Sequence, residues 1–285
     1  MELISLNRRL ADNLAPVVGW LLLALLALSP VNALAKVQYA SVATNVADVA
    51  ASADSHRFYF DPDAPRRGQL LVFLPGTGGR NSGPPRAFSV TAAKLGYHVI
   101  DLAYPNSVSA TVCWQDSTPD CFENFRREII EGRDTSPLIA VTRADSIEHR
   151  LEKLLLLLAV RQPKRGWGQF LEPSGTLSWD RIALAGQSQG GGHAALIARE
   201  HKVARVLLFG APKDYDPKRR KPAAWYRQGR TPAERFFALA HSGDRQGCSF
   251  PQQLEIFRAM GIASEPVNVD NSASPSAAAL PARPK

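Results

Sequence analysis

With 45% hydrophobic and 21% charged residues over 285 positions, the chain has the balance of a packed globular protein, which excludes disorder throughout. Its 20 glycines, 21 prolines and 3 cysteines are too few and too irregularly placed for a collagen-like, proline-rich or disulfide-dense scaffold. Thirty-four Lys plus Arg against 26 Asp plus Glu leave a net charge of +8, which favours anionic partners and says nothing about fold.

The N-terminus reads as an address. Arg8 and Arg9 precede a 12-residue apolar run from Val17 to Leu28, and Ala33-Leu34-Ala35 places small residues where a signal peptidase reads them. The run is shorter than the roughly 20 residues that span a bilayer, so residues 1–35 are expected to be a cleaved signal peptide rather than an anchor. Glu2 and Asp12 balance Arg8 and Arg9, and the mature chain therefore keeps its +8. The expected location is periplasmic or secreted, without stable membrane insertion once the signal is removed.

Beyond residue 36, short apolar runs alternate with longer segments of helical period, the pattern of a mostly parallel sheet with helices on both faces. Strands are predicted at Arg57 to Phe60, Gln69 to Leu74, Tyr97 to Leu102, Arg181 to Ala185, Val203 to Phe209, Arg235 to Ala240 and Pro266 to Val269. Helices are predicted at Pro84 to Leu95, Ser146 to Val160, Gly190 to His201 and Gln252 to Met260. Leu154 to Leu158 are five consecutive leucines that cover every side of their helix, so this segment should be wedged between the sheet and an overlying layer. One α/β domain over residues 40–270, followed by a low-complexity, disordered tail at 271–285, is the simplest partition.

An exported chain can form disulfides, and Cys113 and Cys121 flank a polar loop containing Pro119 that can turn back on itself. A bond between them is expected. Cys248 is left over, and with no His or basic pair beside it, it should behave as a small, partly buried apolar residue.

Arg181 to Ala185 runs into Gly186-Gln187-Ser188-Gln189-Gly190-Gly191-Gly192 and then into a helical segment. In a strand–turn–helix context a G-x-S-x-G sequence is a nucleophile elbow: the glycines allow so sharp a reversal that the serine oxygen stands exposed above the sheet. Ser188 is therefore the candidate nucleophile. The tetrahedral oxyanion formed by its attack needs donors already in place. The N–H of Gln189 is one, and the N–H of Thr77, in the Pro75-Gly76-Thr77-Gly78-Gly79 loop after an earlier strand, is the other. That glycine cluster lacks the Lys-Ser/Thr ending and the G-x-G-x-x-G spacing of nucleotide-binding loops. Neither a metal nor an organic cofactor is expected.

On the P-G-T-G-G loop, the Tyr97 to Pro105 strand and turn, the Gly-Gln-Ser-Gln-Gly-Gly elbow and the run Phe236 to Asp244, the sequence from Gln69 to about Asp270 resembles the α/β-hydrolase superfamily, and within it a subgroup of exported bacterial members. That resemblance implies a catalytic order of serine, acid, histidine. Asp244 stands where the acid usually follows the second strand after the elbow, and Asp214, after the preceding strand, is the alternative. Gln187 stands where such proteins often carry histidine. The base should follow the last strand, yet all six histidines, His56, His98, His149, His193, His201 and His241, precede residue 242. His241 is the candidate substitute; His193, just inside the helix after the elbow, should point away from the nucleophile. The tail has the look of a truncated or frame-shifted end.

Residues Lys213 to Arg230 hold seven basic side chains against Asp214 and Asp216, with Trp225 and Tyr226 interleaved. Such a mixture can bind single-stranded nucleic acid, but beside a catalytic elbow it is better read as a solvated excursion over the active-site mouth, touching an anionic surface or substrate. The function expected is that of an exported serine hydrolase of carboxylic esters, small or polymeric, with no nucleic-acid partner. The alternative is a hydrolase-fold protein impaired by its missing histidine, which binds without turnover or is a truncated product.

Overall fold

A computed structural model describes residues 37–44, 54–227, 229–262 and 265–269. The expected signal peptide and the 271–285 tail lie outside the described residues. Among the described residues, nine strands and five α-helices follow in chain order: β1 (Gln38–Ala43), β2 (Ser55–Phe60), β3 (Leu70–Leu74), α1 (Ala87–Lys94), β4 (His98–Asp101), α2 (Cys121–Glu131), α3 (Ile147–Arg161), β5 (Ile182–Gln187), α4 (Gln189–Glu200), β6 (Arg205–Phe209), β7 (Tyr215–Asp216), β8 (Lys221–Pro222), β9 (Phe236–Leu239) and α5 (Phe250–Ala259).

Seven strands form one sheet in the order β1-β2-β4-β3-β5-β6-β9, with β7 and β8 as a separate hairpin. The β1–β2 and β2–β4 pairs are antiparallel, whereas β4, β3, β5, β6 and β9 run parallel. Strands covered on both faces read as unbroken apolar runs, and the Leu-Leu-Val-Phe-Leu of β3 is buried at all five positions. On one face, Ala92 and Ala93 of α1 pack with Leu71, Phe73, Val99, Ala183 and Ala185. On the other, α2, α3 and α4 supply Phe125, Ile129, Leu151, Leu155 and Leu196 against Leu70, Val72, Ile100 and Leu184. This is the expected mostly parallel sheet with helices on both faces.

Three expectations need correction. Pro266 to Val269 is not a strand: it makes no ladder with β9 and instead lines, with Phe236 to Ser242, a groove of about 580 Å3. Among the described residues no strand pairs with the outer edge of β9, and Phe237 and Leu239 are exposed. The leucine run is not enclosed on every side either. Leu154, Leu155 and Leu158 enter the core, but Leu156 is 41% exposed. The third concerns Lys213 to Arg230. Its cations from Lys218 to Lys221 are exposed on the β7–β8 hairpin, but Trp225 and Tyr226 are core residues, 2% and 5% exposed, and present no ring for a base to stack on. β1, whose only buried strand residue is Val42, and α2 were not among the expected elements.

Cys113, in a 3-10 turn over Ala110–Trp114, is bonded to Cys121 at the start of α2 as expected. Cys248 is buried, and burial pushes its thiol up to about 12, consistent with an inert apolar role. Among the described residues no helix is long and apolar enough to cross a membrane, and no group of three or more His, Cys, Asp or Glu could hold a metal ion.

Candidate active site

The turn between β5 and α4 is built on close backbone approach. A Cβ on Gly186 would lie 2.4 Å from the Gly190 carbonyl carbon, and one on Gly190 would lie 2.1 Å from the Leu74 oxygen. Only glycine fits either place, so the chain reverses tightly enough to put Ser188 at φ 51°, ψ −118°, a conformation costly for a residue with a side chain. The cost is met locally. The Ser188 N–H donates to the Phe209 carbonyl at 2.9 Å, and its own carbonyl accepts from Gly191 and Gly192 at 3.0 and 3.3 Å. Ser188 is half-buried, and among the described residues nothing hydrogen-bonds its Oγ.

The loop after β3 reaches the same point. Gly76 lies so near that a Cβ there would be 3.2 Å from the Ser188 Cβ and 2.5 Å from Gln187 Oε1. Asn106 pins this loop by donating from Nδ2 to the carbonyls of Gly76 and Gly79, at 3.0 and 2.8 Å, while its own carbonyl accepts from the Gly78 N–H at 2.9 Å. The N–H of Gln189 opens α4 and, like that of Thr77, has no hydrogen-bond partner among the described residues. Two unengaged amide donors therefore flank the serine, one of them at the positive end of a helix.

The two candidate acids differ in environment. Asp244 follows β9 at the carboxyl edge of the sheet, beside Gly210, where a Cβ would stand 3.5 Å from Asp244 Oδ2. Since Phe209 accepts the Ser188 N–H and pairs with Leu239, Asp244 and Ser188 share this edge. Lys213 Nζ donates to Asp244 Oδ2 at 2.6 Å and the Gln246 N–H donates to Oδ1 at 2.9 Å. Burial alone would lift the Asp244 carboxyl, but Lys213 and the Gln246 N–H outweigh it and hold it below the usual carboxylate range.

Asp214 is 1% exposed, and both its oxygens are engaged, Oδ2 by Arg126 Nε at 2.6 Å and Trp225 Nε1 at 3.0 Å, Oδ1 by Arg126 Nη2 at 2.5 Å. Both oxygens of this carboxylate are thus committed to Arg126 and Trp225. Its partner Arg126, which also donates from Nη1 to the Gln189 carbonyl at 3.0 Å, was not among the sequence-derived candidates.

None of the six histidines hydrogen-bonds Ser188 among the described residues. His56 accepts from the Ala103 N–H; His98 packs against Phe60, Trp167 and Phe170; His201 stacks on Trp179. His193 is fully buried against Tyr104 and Arg126, and that burial, with the Arg126 charge, takes it well below its ordinary pKa. His241 is exposed at the carboxyl edge, but its Nδ1 accepts from the Gly243 N–H at 3.0 Å. A neutral imidazole that accepts at Nδ1 carries its proton on Nε2, and so has no free lone pair there for a serine proton.

Strand order and the serine at the β5–α4 turn are those of the α/β-hydrolase fold. No family model and no curated protein matches the chain. Among solved structures it is similar to an α/β-hydrolase enzyme from a Medee basin deep-sea metagenome library, at 13% identity and a TM-score of 0.40 over 80% of this chain and 77% of that one. It is also similar to an inhibited esterase B from Lactobacillus rhamnosis, at 18% identity and a TM-score of 0.33 over 63% of this chain. A bacterial heroin esterase matches at 18% identity and a TM-score of 0.32 over 71% of this chain. The chain spans 50% of that esterase B and 52% of the heroin esterase. These likenesses concern the fold alone.

Proposed function

We propose that the protein is a serine hydrolase acting on carboxylic esters through an acyl-enzyme on Ser188. The observation that carries this reading is the serine's φ of 51° at a strand-to-helix turn, with the unengaged amides of Thr77 and Gln189 beside it. Ser188 Oγ adds to the ester carbonyl carbon while its proton passes to a base. The two amides meet the oxyanion, and as the intermediate collapses the base gives the proton to the leaving oxygen, releasing the alcohol. Water then attacks the acyl-enzyme, freeing the carboxylic acid and restoring the hydroxyl. Asp244 supplies the negative charge at the acid position, and His241 takes the proton after rotating out of its bond with the Gly243 N–H. The bonded Cys113–Cys121 pair supports an oxidising compartment, in keeping with export.

A second reading, ligand binding without turnover, is favoured by the His241 tautomer and by the absence of a hydrogen bond from any histidine to Ser188 among the described residues. Hydrolysis of a p-nitrophenyl ester by the purified protein, run beside Ser188→Ala, separates the two. A rate lost in the variant supports the hydrolase. Equal rates in both proteins reject it, and a ligand retained without hydrolysis supports binding alone.

A further inference from the structure

The Gln189 side chain, as distinct from its main-chain N–H, joins the elbow to two other loops at the carboxyl edge. It is 5% exposed. Its Oε1 accepts from the Ala110 N–H at 2.9 Å and from Thr77 Oγ1 at 3.0 Å, and its Nε2 donates to the Val108 carbonyl at 2.9 Å. Thr77 belongs to the loop after β3, Val108 and Ala110 to the loop after β4, and Gln189 to the elbow itself. A single planar amide thus uses both its polarities to join them.

The arrangement closes on itself. Ala110 opens the 3-10 turn that carries Cys113, Cys113 is bonded to Cys121, and Cys121 opens α2. From α2, Arg126 Nη1 returns to the Gln189 carbonyl at 3.0 Å. Both ends of Gln189, side chain and carbonyl, are therefore held by one disulfide-linked unit, while its Oε1 holds the hydroxyl of Thr77, whose N–H has no hydrogen-bond partner among the described residues.

We infer that Gln189 is a positioning residue: its side-chain amide sets the Thr77 loop at the separation from Ser188 that a tetrahedral oxyanion requires. This rests on the hydrolase reading above. A shift of about 1 Å in a positioned group costs on the order of 10²-fold in rate, so a clamp across three loops has a kinetic signature. Glutamate at 189 is nearly isosteric, but one of its oxygens would face the Val108 carbonyl in place of the donor.

The test uses the full chain with Gln189→Glu, Gln189→Met, Thr77→Val and Thr77→Ser. Three readings are taken: the rate of Ser188 labelling by a fluorophosphonate, kcat and KM on a p-nitrophenyl ester, and hydrogen exchange of residues 77–79 and 108–110. Gln189→Glu and Gln189→Met are expected to lower kcat and labelling by about 10- to 100-fold with KM within about twofold, because the loss is confined to the transition state. Exchange in both loops should rise. Thr77→Val should show the same pattern more weakly, and Thr77→Ser, which restores the hydroxyl, should recover the rate lost in Thr77→Val. Unchanged kcat and exchange in folded Gln189 variants would overturn the clamp and leave the hydrolase reading standing. A wild-type Ser188 that neither labels nor turns over ester would overturn both.

Discussion

Arg126 grips Asp214 through two hydrogen bonds, Nε to Oδ2 at 2.6 Å and Nη2 to Oδ1 at 2.5 Å, with each side chain only 2% exposed. Removing one member of a buried pair strands the other charge, so Asp214→Ala is expected to lower unfolding stability by about 3–5 kcal/mol in chemical denaturation. Asp244→Asn is expected to do the reverse, keeping most of the stability while lowering ester turnover by as much as ~10⁴-fold. Should Asp214→Ala leave the denaturation midpoint unmoved and abolish turnover, the acid role belongs to Asp214 instead.

Ser188 holds a positive φ that glycine adopts without strain. Relief of a strained backbone is worth roughly 1–3 kcal/mol, against about 0.5–1 kcal/mol of added unfolded-state freedom for glycine. Ser188→Gly should therefore exceed Ser188→Ala in stability by about 1 kcal/mol, although both lose fluorophosphonate labelling. Thermal unfolding of the two variants decides it, and an alanine variant as stable as the glycine one would mean that the turn is unstrained.

Burial, reinforced by the charge of Arg150, lowers the His56 pKa to about 3. Between that value and the ordinary 6.5, the unfolded chain binds a proton that the folded chain refuses, so stability rises with pH across this window and is lost as pH falls from about 6.5 to about 3. The full span is worth at most about 5 kcal/mol. Denaturation midpoints of His56→Gln, measured from pH 7 to pH 4, should depend on pH less steeply than wild type; parallel curves would refute the assignment.

Closing the loop between Cys113 and Cys121, a sequence separation of 8, should stabilise by roughly 2–3 kcal/mol through the unfolded state. The bond also belongs to the unit that holds Gln189. Cys113→Ser with Cys121→Ser is expected to cost that stability and in addition to lower kcat per labelled serine. A variant that is less stable but catalytically equal would confine the disulfide to a purely structural part.

The sharp strand-to-helix turn that carries Ser188 was legible because its signal is local: glycine spacing, a buried strand before and a helical run after all sit within some twenty residues. The disulfide was legible for the same reason. Arg126 was not, since it meets Asp214 across 88 positions and no short pattern marks it. α2 did carry a readable signal in Phe122, Phe125, Ile129 and Ile130, which recur at helical spacing and are all buried. β1 carried almost none, because an edge strand with one buried residue need not alternate. Trp225 and Tyr226 misled in the opposite direction: flanking cations suggested solvent, while the chain buries both rings, with Trp225 Nε1 donating to Asp214 Oδ2 and the Tyr226 hydroxyl accepting from the Asp214 N–H.

Taken alone, the residue order determined the alternation of strands and helices, the sharp corner bearing a serine, and the absence of any histidine after residue 241. These follow from short-range sterics and hydrophobic period, which a linear chain displays openly. Tertiary structure alone decided which aspartate is locked away by a buried guanidinium, which ring nitrogen of His241 is occupied, and which side chain ties the glycine loop to the elbow. Hydrogen bonds between groups tens of residues apart depend on where folding brings them, and that placement has no signature along the chain.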